Sequence, residues 1–76
     1  MGKRPQYSMV IQWSNDDRAY VVSLPEWSGR VLNPVTHGET YDEAVKNGTE
    51  AIEALIASSD QLGEPLPEPN VLRHIA

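Results

Sequence analysis

The 76-residue sequence predicts one domain of α+β class, a three-stranded antiparallel sheet with a single helix packed on one face, in the order β-β-β-α. Three observations predict it: two runs of strand period around a turn cluster, a proline and glycine loop that returns the chain, and one long stretch of helical period. From Gln6 to Trp13 the residues alternate, with Tyr7, Met9, Ile11 and Trp13 sharing one face and Val10 as the exception on the other. Ser14-Asn15-Asp16-Asp17 is a cluster of turn formers, and Arg18 to Leu24 alternates again through Tyr20, Val22 and Leu24, so the two runs make a hairpin. Pro25 has no amide hydrogen and ends the second strand, and Gly29 gives the loop its freedom to turn. Arg30 to Thr36 is the third strand candidate, with Pro34 placing it at an edge or a bulge.

The helix starts after Thr40, whose side chain is placed to cap it, with Glu43 three positions on completing a capping box. Ala44, Val45, Gly48, Ile52, Leu55 and Ile56 recur at three and four and form its apolar stripe, while Asp42, Glu43, Lys46, Asn47, Glu50 and Glu53 face water. Gly48 lies in that stripe, which suits close approach to the sheet or to another helix. Gly63 ends the helix, Pro65, Pro67 and Pro69 keep residues 63–69 extended, and Asn70 to Ala76 is a tail or a short fourth strand. The domain core is expected over residues 6–69 and the tail over 70–76.

Size and charge narrow the function. A chain this short buries only roughly 60% of its unfolded surface, so its stability is marginal and self-association would add to it. Without cysteine there is neither a disulfide nor a thiolate metal ligand. The start, MGKRPQY, has no apolar run behind its basic residues, and no stretch of about 18 apolar residues follows anywhere, so a soluble cytoplasmic protein with no membrane partner is expected. Eleven acidic residues against six basic ones give a net charge of -5, which disfavours phosphate-backbone contact and favours a basic partner.

The segments Tyr20-x-Val22-x-Leu24-Pro25-Glu26, Pro25-Glu26-Trp27-Ser28-Gly29, Gly38-Glu39-Thr40-Tyr41-Asp42-Glu43-Ala44 and Pro65-Leu66-Pro67 together resemble the HicB family of antitoxins over about positions 6 to 69. The resemblance implies a partial ribonuclease H-like fold, a homo-oligomer such as a dimer or tetramer, and a partner, a small HicA-type toxin that cleaves messenger RNA through a catalytic histidine. The chain would be its inhibitor and not an enzyme, with no cofactor. Arg30 stands where many members carry a cysteine, and Asn33-Pro34 interrupts the third strand. Nothing after Pro69 is long enough for the DNA-binding segment that autoregulatory members append, so no DNA binding by this chain alone is expected.

Catalytic readings are weaker than structural ones. Asp16 and Asp17 with Glu26 and Glu39 form an acidic set, yet a two-metal nuclease needs carboxylates fixed on rigid elements, and the first strand carries none. His37 before Gly38 has no serine or cysteine nucleophile placed beside it, and His74 is far away in the tail. Trp27 is either folded over the sheet edge as core or exposed as a partner anchor. The partner-binding set expected from the sequence is Glu26, Trp27, Glu39, Glu50 and Glu53, a surface that would replace RNA phosphate in the toxin's groove. The alternative is a stand-alone homo-oligomeric binding module of the same fold with no toxin.

Overall fold

The structure is a computed structural model that describes residues 6–72. Its elements are β1 (Val10–Ser14), β2 (Ala19–Ser23), a 3₁₀ turn (Pro25–Trp27), β3 (Thr36–Gly38) and α1 (Tyr41–Leu62). The strands form one antiparallel sheet in the order β1-β2-β3, with Ile11 opposite Val22, Trp13 opposite Tyr20, and Tyr20 opposite Gly38. Helix and sheet make the expected α+β arrangement.

The hairpin turn holds itself closed locally. The Ser14 hydroxyl donates to Asp17 Oδ2 at 2.9 Å and accepts from the Asp17 amide at 3.2 Å, and Arg18 takes a positive φ of 51° at the strand entry. Asp16 and Asp17 are thus residues of a tight turn.

The third strand lies later than expected. Arg30 to Val35 do not form a strand; only Thr36–Gly38 pairs with β2. The Asn33–Pro34 peptide bond is cis, and the Asn33 side chain takes over the pairing that a backbone would have made. Its Oδ1 accepts from the Leu24 amide at 2.9 Å, and its Nδ2 donates to the Leu24 carbonyl at 3.4 Å. Val35 then donates its amide to the Val22 carbonyl at 2.8 Å, leading into β3. No fourth strand is present through Leu72, and the rest of that candidate segment, with His74, lies outside the described residues.

The helix begins and ends as its sequence dictates, with one adjustment. Thr40 Oγ1 accepts from the Glu43 amide at 3.1 Å, while the Glu43 carboxylate reaches one residue beyond the cap, to the Glu39 amide at 2.8 Å. Gly63 closes the helix in the left-handed region, φ 69°. The buried line along α1 is Ala44, Gly48 and Ser59, with Ala51, Ile52, Leu55 and Ile56 half-buried beside it. Val45, expected in the stripe, is 46% exposed, because the packed face turns toward Asn47 and Ala51.

Gly48 fits the sheet. A Cβ there would stand 2.5 Å from Met9 Sδ and 3.0 Å from Val22 Cγ1, so the helix backbone lies directly on these two side chains. Val22, Leu24, Trp27 and Ala44 form the fully buried cluster, with Tyr7, Met9, Ile11, Tyr20, Val31 and Val35 packed around it.

Candidate functional site

The loop from Leu24 to Gly29 buries one of the expected contact residues, Trp27, and turns a second, the half-buried Glu26, back onto the chain. Trp27 is 1% exposed and is one of the largest fully buried side chains. The 3₁₀ turn sets its indole against the Tyr7 ring, edge to face at 4.3 Å between centroids. Of the two roles weighed for Trp27, the structure places its side chain in the core. Tyr7 in turn donates its hydroxyl to the Pro67 carbonyl at 2.6 Å.

Glu26 points back toward the N-terminal segment. Its carboxylate accepts from the Ser8 amide at 3.1 Å, the Ser8 hydroxyl at 2.9 Å and the Asn70 amide at 2.8 Å. Arg30 adds a bond from Nη1 to the Pro65 carbonyl at 2.7 Å, so the extended exit segment is held at three points. Burial alone would raise the Glu26 pKa, but the hydrogen bonds from Asn70, its own backbone and Ser8 outweigh it and hold the carboxylate below its ordinary range. Burial raises the Tyr7 phenol, with the Glu26 charge adding and Arg30 opposing, which keeps it protonated as a donor. Glu26 is therefore a fastening residue that ties the N-terminal and exit segments to the loop.

The other three expected residues stay at the surface. Glu39 precedes the helix, and Glu50 and Glu53 are exposed on α1 three residues apart, which sets them on one side of it. Asp42 and Glu43 are exposed in the first turn, where the helix dipole favours them. The structure thus divides the expected set into an outward acidic helix face and an inward loop pair.

A groove of about 470 Å³ runs between α1 and the chain entering β1, lined by Tyr7, Met9, Thr49, Ile52, Glu53, Ile56, Ala57 and Asp60. Its floor is apolar and two carboxylates stand along it. The sequence pattern places Ile52 and Ile56 on the packing stripe, but it carries no sign that the helix overhangs the sheet here. Asp60, about one turn beyond Ile56, goes unmarked in the sequence for the same reason.

Trp13 is the main departure from the expected core. It lies on the helix side of the sheet, edge to face with Tyr20 at 5.1 Å, and Tyr20 stacks on Tyr41 at 4.2 Å. The helix crosses the sheet toward the other end of β1, so Trp13 is 52% exposed. On the opposite sheet face a smaller depression of about 290 Å³ is lined by Asp17, Val21, Pro34, Val35, Thr36 and His37. His37 is exposed there, and its carbonyl accepts from Asn47 Nδ2 at 2.7 Å, tying β3 to the helix.

Among the described residues no three His, Cys, Asp or Glu side chains gather as a metal would require, and no helix is long and apolar enough to cross a membrane. Comparison with the curated proteins and with the solved structures returned no match. The family model of the HicB-like antitoxins of bacterial toxin–antitoxin systems matches residues 7–76, nearly the whole length, and the chain belongs to that family.

Proposed function

We propose that this protein neutralises a small basic toxin of the HicA type by binding over the groove that holds the toxin's messenger RNA substrate, without catalysis of its own. The observation that carries the reading is the acidic surface of α1 and its entry, where Glu39, Asp42, Glu43, Glu50 and Glu53 are all exposed on a chain of net charge -5. Carboxylates there occupy the place of RNA phosphates and speed encounter by electrostatic steering, an effect that weakens as salt rises. Glu39, Glu50 and Glu53 are the proposed contacts, while Glu26 and Trp27 hold the loop and exit segment behind them.

The test pairs the protein with a purified HicA-type toxin from the neighbouring gene and measures affinity and RNA cleavage at low and moderate salt. Suppressed cleavage, and binding weakened about tenfold or more by Glu50→Lys with Glu53→Lys, are the expected results. Unchecked cleavage with no binding would overturn the toxin reading and leave a stand-alone binding module of this fold.

A further inference from the structure

We infer that the helix layer of this fold has a second seat, over β1 and beside α1, and that the seat receives an amphipathic helix of a partner protein, apolar along one stripe and basic along its flanks. The inference stands apart from the toxin reading, and its test contains no toxin.

The seat follows from how unevenly α1 covers the sheet. The helix packs most closely on β3, less on β2 and least on β1. β1 lies two strand spacings from β3, about 9 to 10 Å, and packed helices keep their axes about 8 to 10 Å apart. A second helix laid beside α1 therefore comes down over β1.

The side chains already there form a floor and a wall. β1 sends Met9, Ile11 and Trp13 into the helix layer, on the face that also carries the buried Val22 opposite Ile11. Met9 and Ile11 are half-buried, and Trp13 is 52% exposed. Thr49, Ile52 and Ile56 line the groove from the α1 side, and Val45, one turn before Thr49, continues their line toward the start of the helix. The row of rings Trp13, Tyr20 and Tyr41 closes that end, with Tyr41 61% exposed. From Tyr41 to Asp60 the wall is about 28 Å long, the length of a helix of about 18 residues. The Trp13 indole is held before any partner arrives, because its Nε1 donates to Asn15 Oδ1 at 2.9 Å, so less ordering is left to oppose binding.

Charge along the rim selects the occupant. Asp42, Glu53 and Asp60 follow at eleven and seven residues, close to three turns and two, so they stand along the same side of α1 as Thr49 and Ile56. Lys46 is the only basic residue of α1. An apolar trough beside a row of carboxylates matches a helix whose apolar stripe is flanked by lysine or arginine. The α1 helix of a second copy does not meet that description, since its Asp42, Glu43, Glu50, Glu53 and Asp60 would be set against the same residues here. Phosphate-bearing surfaces are disfavoured by the same charges.

The experiment uses the full chain and, as probe, a labelled peptide of about 14 leucines and lysines with the leucines on one helical stripe, followed by fluorescence anisotropy at about 0.15 M salt. The control peptide has the same composition in an order that breaks the stripe. The stripe peptide should bind about tenfold or more tightly than the control, and tryptophan emission should move to shorter wavelength as Trp13 is covered, Trp27 being buried already. Val45→Gln with Thr49→Gln, two neutral changes in the middle of the wall, should weaken binding about tenfold or more with an unchanged far-ultraviolet spectrum. Asp42→Asn with Asp60→Asn should weaken it about threefold or more, whereas Glu39→Gln with Glu68→Gln, the same loss of charge away from the seat, should leave it within about twofold. No binding of the stripe peptide, or equal binding of both peptides, would overturn the inference. Binding that the Val45 and Thr49 pair does not weaken, or that both charge pairs weaken alike, would overturn it by showing general attraction to an acidic chain. A chain that covers Trp13 by doubling its mass, and that the peptide does not displace, would overturn it in favour of a second copy.

Discussion

Two residues carry consequences out of proportion to their size. At Gly48 an added methyl meets the flexible end of Met9, which can swing aside, and stands 3.0 Å from Val22 Cγ1, a tight contact set against the about 1 kcal/mol that the better helix propensity of alanine returns. Gly48→Ala is expected to leave the melting temperature nearly unchanged, while Gly48→Leu, pushed also into Val22, should cost about 1 to 3 kcal/mol by calorimetry. Glu26 makes a prediction of opposite kind, read against pH. Because its folded pKa is lowered, its stabilisation is fully present above the unfolded value of about 4.3 and is lost as pH falls through the lower folded value. Urea midpoints measured from about pH 6 downward should therefore fall more steeply for the wild type than for Glu26→Gln, and parallel acid limbs would refute the role of this carboxylate. Trp27 and Glu26 are adjacent in sequence, and nothing local tells that both turn inward. Their partners are Tyr7, Ser8 and Asn70, a relation that only the folded chain creates.

Elements with a strong local code were legible in the sequence, and the element that depends on a distant side chain was not. Thr40, Glu43 and Gly63 mark the ends of α1 through bonds within a few residues, and the hairpin follows from two alternating runs around four turn formers. The stretch from Arg30 to Thr36 has the composition of a strand, yet its pairing with β2 is handed to the Asn33 amide before the backbone takes over at Val35. Alternation records which face a side chain takes and says nothing of which atom satisfies the neighbouring strand. Asn33→Ala would leave the Leu24 amide and carbonyl without these partners in a part-buried position, at an expected cost of about 1 to 3 kcal/mol. Faster hydrogen exchange at the Leu24 amide, with Val22 protection retained, would locate the loss at this element; uniform exchange across β2 would contradict it. Of the acidic site, α1 supplies the legible part, because helical period alone sends Glu50 and Glu53 outward. The groove beside it was hidden, since it arises from the angle at which α1 leaves β1.

At the scale of the molecule, four fully buried side chains, Val22, Leu24, Trp27 and Ala44, anchor the whole fold, and each comes from the hairpin, the loop or the first turn of α1. The far half of the helix and the exit segment are held by half-buried contacts and by the bonds from Tyr7, Arg30 and Glu26. The Glu26 fastening has a topological consequence. One carboxylate grips Ser8 and Asn70 together, so the backbone from one to the other is already a closed ring in space, sealed without a covalent bond. Such a ring has no preferred place to be cut except where a cut is harmless. A circular permutant that joins the two ends by a short glycine linker and opens at the exposed Asn15–Asp16 turn should keep the native spectrum and a cooperative melt. Repeating the permutation with Glu26→Ala should give the same transition at nearly the same temperature, because the linker then does the carboxylate's work of keeping the ends together.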